Sequence, residues 1–331
     1  MPLIQLQPHP FTSIPAHPSF PTDLSRPELH QFIHTALHEA LELLHSIPST
    51  FVADPKLRSS PPSQAKVKLL RGWRNPSEPS TKPTNPKDKT KSEFWACRQT
   101  EHVDASAEGT ASWREFEDGL KSEHAEHEME YTRSVSAVER LLEWAPQDVG
   151  EVEVDGIRFR DVNMEVNLIT HTFQPSALIA PRSFISLTIS AAHDDLPPQP
   201  PQTQGEHPPP RKGFLIVQIP LHQTSSSTPQ ALQQKISSSV PKRTIFANYV
   251  SVEHVTLLPP SSYSSSSSAQ AQDFSGKPKS RVEWTMATTA DPGGSIPKWV
   301  QRNFTLGGMP RAVVADVGFF IGWTMRRRGS T

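Results

Sequence analysis

The run Glu283-Trp284-Thr285-Met286-Ala287, the turn Asp291-Pro292-Gly293-Gly294, the segment Ile296-Pro297-Lys298-Trp299-Val300 and the stretch 310–325 together decide the fold of this chain. The first is rich in strand-forming residues, and Pro-Gly-Gly ends it. In the last, Val313, Val314, Val317, Phe320, Ile321 and Thr324 fall on one face of a helix. The pattern reads as a strand, a tight turn and a closing amphipathic helix. The apolar part, 313–325, is interrupted by Asp316. It also falls short of the ~20 residues that span a bilayer.

Working outward, 158–173, 182–192, 213–221, 245–258 and 281–288 are rich in Val, Ile, Phe and Thr. Each is bounded by Pro, Gly, Asp or Ser, as strands are. Upstream, 65–71 and 93–103 also read as strands. Ser25 and Glu28 have capping-box spacing before Leu29, Phe32, Ile33, Ala36, Leu37, Ala40, Leu41 and Leu44, a helical stripe that Pro48 is expected to stop. Ser112 and Glu115 repeat that spacing ahead of Phe116 and Leu120, in a helix that stays acidic through Glu123, Glu126, Glu128 and Glu130. Strands following strands favour an antiparallel sheet in an α+β domain.

The remaining residues bound the domain. The chain has 331 residues and 34 prolines. Residues 1–24 read as an irregular Pro-rich leader and 25–328 as one domain. Disordered inserts are expected near 74–91, 196–211, 224–241 and 259–279, where Pro, Ser, Gln or Lys replace core-forming residues. A net charge of −1 offers no basic stripe for nucleic acid. Cys97 is the only cysteine, so no intramolecular disulfide and no cysteine zinc cage can form. The N-terminus lacks a secretory pattern, and a cytoplasmic protein is expected.

The blocks Phe94-Trp95-Ala96-Cys97-Arg98, Gly109-Thr110-Ala111-Ser112-Trp113-Arg114-Glu115-Phe116, Phe214-Leu215-Ile216-Val217-Gln218-Ile219-Pro220, Tyr249-Val250-Ser251-Val252-Glu253 and Ala312-Val313-Val314-Ala315-Asp316-Val317 occur in order. With Val282-Glu283-Trp284-Thr285-Met286-Ala287-Thr288 they resemble a fungal domain-of-unknown-function family with a START-like lipid-binding fold, of the Bet v 1-like superfamily. The resemblance implies a helix-grip architecture: a curved antiparallel sheet wrapped on a long C-terminal helix around an apolar cavity. It also implies a bound lipid, sterol or other hydrophobic small molecule, carried or sensed.

Residues weighed for that cavity are Trp95, Arg98, Glu165, Arg182, Trp284, Trp299, Val313, Val317 and Phe320. The aromatics supply large apolar area. An inward arginine requires a buried partner such as Glu165 or an acidic ligand group. Arg326, Arg327 and Arg328 suggest contact with anionic headgroups beside the helix; the plain alternative is favourable charge at a helix C-terminus. His30, His34 and His38 recur on the polar face of the first helix, where solvation explains them better than a metal, and no cofactor is called for. Among catalytic motifs, neither a nucleophile elbow nor a zinc-protease helix nor a phosphate loop is present. An enzyme of the same architecture, cyclase- or hydrolase-like, stays open if titratable groups such as Arg98, Glu165 and His171 cluster inward. A scaffold acting through the Pro- and Ser-rich inserts is a third reading.

Overall fold

In the computed structural model, residues 1–20, 26–75, 92–174, 179–194, 211–223, 228–260 and 279–329 are described. Their strands are β1 (Val52–Ala53), β2 (Arg58–Ser59), β3 (Lys66–Arg74), β4 (Glu93–Val103), β5 (Val135–Glu143), β6 (Val152–Val154), β7 (Ile157–His171), β8 (Arg182–His193), β9 (Gly213–Pro220), β10 (Ile245–Phe246), β11 (Asn248–Leu258) and β12 (Arg281–Asp291). Their helices are α1 (Leu29–Thr50), α2 (Trp113–Phe116), α3 (His124–Tyr131), α4 (Pro146–Val149), α5 (Gln230–Ser239), α6 (Lys298–Gln301) and α7 (Met309–Arg328). One sheet runs β1-β3-β4-β12-β11-β9-β8-β7-β5, antiparallel at every step. The chain is α+β, a curved sheet closed by its C-terminal helix.

Because side chains alternate along a strand, the register divides the sheet into two faces. Across one face run Cys97, Ala287, Val252, Val217, Ile189 and Met164, directly opposite one another on successive strands. All are buried, and they share a core with Phe32, Ile33, Leu37 and Leu41 of α1. Each Leu, Ile or Phe buried there contributes about 1.5–3 kcal/mol, so apolar packing alone accounts for the seat of α1. The leader belongs to the same core: Ile4, Phe11 and Ile14 are buried although 1–20 is largely irregular.

Helix α7 covers the other face. Val313, Val317, Phe320 and Ile321 pack against Leu69, Ala96, Val282 and Trp284. Phe320 lies 5.3 Å from Trp284 and 5.0 Å from Phe116, ring centroid to centroid. At Gly318 the helix rests on the turn before β3. Its N–H donates to Ser60 Oγ at 2.9 Å, and a Cβ there would meet Pro61 O at 2.4 Å.

Four sequence expectations need revision. Helix α1 is capped by Glu28, whose carboxylate accepts from His30 and Gln31 N–H groups at 2.9 and 2.7 Å, while Ser25 lies outside the described residues. Pro48 sits within the last turn instead of ending the helix. Residues 230–239, placed in an insert, form α5, which buries Leu232 and Ile236. Strand β5 was not foreseen; its Glu139 and Arg140 break the apolar alternation. The Pro-rich part of 196–211 and the serine run of 259–279 fall almost wholly outside the described residues, as does 76–91.

Replacing Gly318 by Ala should destabilise the domain by about 1–3 kcal/mol, the usual cost of overpacking. Thermal melts would register this as a lowered Tm, whereas Gly156→Ala, where nothing lies within 4 Å of the added carbon, tests only the strain of its positive φ.

Candidate functional site

The face beneath α7 and α3 is unlike the one beneath α1. One row across it reads Ala96, Thr288, Ser251, Gln218, Thr188 and Glu165, and the next reads Arg98, Met286, Glu253, Ile216 and Ser190. Arg98, Glu165, Asn167, Ser186, Thr188, Ser190, Gln218, Ser251, Glu253 and Thr288 are all buried. This face of the sheet is therefore strongly polar, where an apolar cavity lining was expected.

Arg98 is its centre. The guanidinium is 0% exposed and reaches Glu253 Oε1 at 3.1 Å and Asp316 Oδ2 at 3.3 Å. It stacks on Trp284 with 3.6 Å from Cζ to the ring centroid, and Trp284 Nε1 donates to Glu253 at 2.7 Å. Glu253 is thus doubly held. Asp316, presented by α7, keeps 27% of its side chain exposed although its ion partner Arg98 is fully buried. Burial raises the Asp316 pKa, Arg98 opposes that shift, and Glu253 adds to it.

Glu128 on α3 completes the group. Its carboxyl is pushed up to about 7, mainly by burial, with the Asp316 and Glu253 carboxylates adding and His124 opposing. The phenols of Tyr131 and Tyr249 are raised by burial and by the same carboxylates. Farther along, Glu165 pairs with Arg140 at 3.1 Å and accepts from Asn167 Nδ2 at 2.8 Å.

Several polar atoms on this face make no hydrogen bond among the described residues: Arg98 Nε and Nη1, Gln218 Nε2 and Asn167 Oδ1. Ser186 is bonded to the Tyr249 phenol. Buried polar atoms are normally satisfied, and leaving one unmade costs about 1–3 kcal/mol. Four such atoms on one face leave hydrogen-bonding capacity unfilled.

The sequence-derived residues divide accordingly. Arg98 and Trp284 lie at the centre, with Val313, Val317 and Phe320 packed beside them. Glu165 shares the face, but its ion partner is Arg140, and Arg98 takes Glu253 and Asp316 instead. Trp95 belongs to the opposite core, under α1. Arg182, the first residue of β8, bonds the carbonyls of Pro292 and Ala180 at the sheet end. Trp299 is 64% exposed on α6 and lines nothing. His171 lies at the end of β7, its pKa lowered to about 4 by burial, bonded to Ser134 Oγ at 3.0 Å. Cys97 is buried with its thiol pushed up to about 12, which leaves it inert. Glu128, Tyr249, Glu253, Met286 and Asp316 were missed. Asp316 interrupting an apolar helix and Glu253 inside an apolar strand were the available signals.

A family profile described as "Protein of unknown function (DUF3074)" matches residues 95–324, and the chain belongs to that family. No curated protein matches the chain. Among solved structures, human STARD10 is similar at 13% identity, covering 85% of this chain and 78% of that one, with a TM-score of 0.42. Human StAR-related lipid transfer protein 5 is similar at 10% identity, covering 90% of this chain and 99% of that one, with a TM-score of 0.44.

A carboxyl raised in the folded state binds its proton more tightly there than in the unfolded chain. Stability from Glu128 is therefore full below about 4.5 and is lost as pH rises to about 7. Glu128→Gln should flatten the fall of Tm between those values and leave the variant the more stable protein at pH 8, by on the order of 2 kcal/mol. A Tm–pH profile parallel to wild type would show that Glu128 does not carry this titration.

Proposed function

We propose that this DUF3074 protein binds a small molecule with an apolar body and a polar head, held between the inward sheet face and helices α3 and α7. The observation that supports it is the set of unsatisfied buried atoms of Arg98, Gln218 and Asn167. A ligand's polar head would complete those hydrogen bonds, and its body would lie along Met286 and the apolar side of α7. A lipid or sterol has this character, and carriage or sensing follows from enclosure alone. Asp291 Oδ1 accepts from Gly293 N–H at 2.9 Å in the turn after β12, and rotation at Gly293 and Gly294, with the loop and α7 moving as one body, would admit the ligand.

A second reading, an enzyme of the same architecture, is favoured by one observation: a titratable carboxyl, Glu128, poised near neutrality beside Asp316 and the Arg98 pair. A carboxyl with a pKa near 7 is suited to general acid–base work. The two readings share one site and differ in whether the ligand leaves unchanged.

Native mass spectrometry of protein purified from a eukaryotic host, followed by organic extraction, tests both. A co-purifying hydrophobic compound at near-stoichiometric amount is expected. Gln218→Leu, which removes one of the unfilled donors while keeping the bulk of the side chain, should sharply reduce the bound mass while the circular dichroism spectrum stays unchanged. Protein that is folded, empty and unable to take lipid from vesicles would overturn the binding reading. A bound mass that changes with time in wild type but not in Glu128→Gln would favour the enzyme.

A further inference from the structure

The loop from β12 to α7 presents a surface that the ligand site does not use. Residues 294–299 are exposed without interruption, among them Ile296 at 37% and Trp299 at 64%, and Leu306 follows at 52%. Large apolar side chains exposed together in one loop call for an explanation, since isolated ones do not. The loop is also cationic. Lys298, Arg302 and Arg311 fall between Asp291 and Asp316, and no acidic residue stands between those two aspartates. Lys298 and Arg311 are exposed. Arg302 stacks on Trp73 at 4.5 Å and holds the loop against the sheet end.

The loop is rigid enough to present these groups. Gln301 Nε2 donates to Ile296 O at 2.9 Å, Gly308 N–H donates to Asn303 O at 2.9 Å, and Asn303 Oδ1 accepts from Thr305 N–H at 2.9 Å. Arg58 stacks on Phe304 at 4.4 Å from below. The apolar tips therefore point outward because the loop's own polar groups are satisfied inward.

We infer that this loop is a docking surface for an anionic lipid bilayer, with Trp299, Ile296 and Leu306 entering the headgroup region and Lys298 and Arg311 meeting the lipid charge. An indole seats well at that depth, apolar on its ring and polar at its N–H. The C-terminal arginines suit the role poorly. Arg328 is bonded to Glu115 Oε2 at 2.9 Å and to Thr110 O at 2.8 Å, and Arg327 stacks on Trp323 at 4.7 Å. They also lie a helix length away, roughly 30 Å for twenty residues. The inference goes beyond the proposed ligand site and does not require it.

The experiment is vesicle co-sedimentation of the full chain, with phosphatidylcholine vesicles and with phosphatidylcholine–phosphatidylserine vesicles. Wild type is expected to partition onto the mixed vesicles and to be released as salt rises. Lys298→Glu should weaken partition by about fivefold or more, the effect of roughly one basic residue near an anionic surface. Trp299→Ala, at an exposed position where folding is not at stake, should weaken it comparably, and Arg327→Gln should leave it unchanged. Equal binding to both vesicles, no binding by wild type, or loss in Arg327→Gln with retention in Trp299→Ala would each overturn the inference. Vesicle binding is read without any internal ligand, so it can fail while the ligand site stands, and the reverse.

Discussion

The contact on which the rest of the structure depends is the buried guanidinium of Arg98 between Glu253 and Asp316. It joins β4, β11 and α7, three elements far apart in sequence. A cation with no exposed surface requires paired charge and hydrogen bonds, and here both partners come from elsewhere in the chain. If α7 rotated or slid by one turn, Asp316 would leave and a buried cation would lose half its compensation. Removing one partner of such a group costs several kcal/mol, although the assembled pair adds little net stability. Its contribution is therefore to register: it selects one seat for the helix among those that apolar packing permits. Gly318 on Ser60 and Trp323 on Glu130 fix the same seat from two other sides.

That constraint also explains why one sheet has two unlike faces. Under α1, a row of six apolar side chains forms the floor of an apolar core. Under α7 and α3, the corresponding rows carry Arg98, Glu253, Ser251, Gln218, Thr188 and Glu165. Stability alone would not select this, since apolar residues of similar size in those positions would pack at lower cost. Buried polar groups with unfilled hydrogen-bonding capacity are what a binding site requires, because they reject a ligand that lacks the matching groups. Burial, with the neighbouring carboxylates adding to it, raises the pKa of Glu128 to about 7 and that of Asp316 above its ordinary range.

Much of the architecture was legible along the chain, and the reasons are local. Strands β7, β8, β9, β11 and β12 announce themselves by β-branched and aromatic residues between breakers, and α7 by apolar spacing. The capping box at Ser112 and Glu115 formed as read. Misreadings came where tertiary contact overrode local pattern. Leader residues without periodicity are buried because the α1 core accepts them. Leu232 and Ile236 turn a polar stretch into α5 by burying its two apolar side chains. Trp95, Trp284 and Trp299 look equivalent in sequence, yet one belongs to each face and one to solvent.

The sequence by itself determined the element types, their order and the antiparallel tendency, because propensity and periodicity act over a few neighbouring residues. It also put forward Arg98 and Arg182 as arginines that would need a partner if either pointed inward. Which partner, which face and which side chains surround the site were decided only by the tertiary structure. A strand's alternation separates its residues into two sets without saying which set a helix will cover. Charge pairing between residues 98, 253 and 316 exists only once β4, β11 and α7 are brought together, and no local rule carries across so much intervening chain.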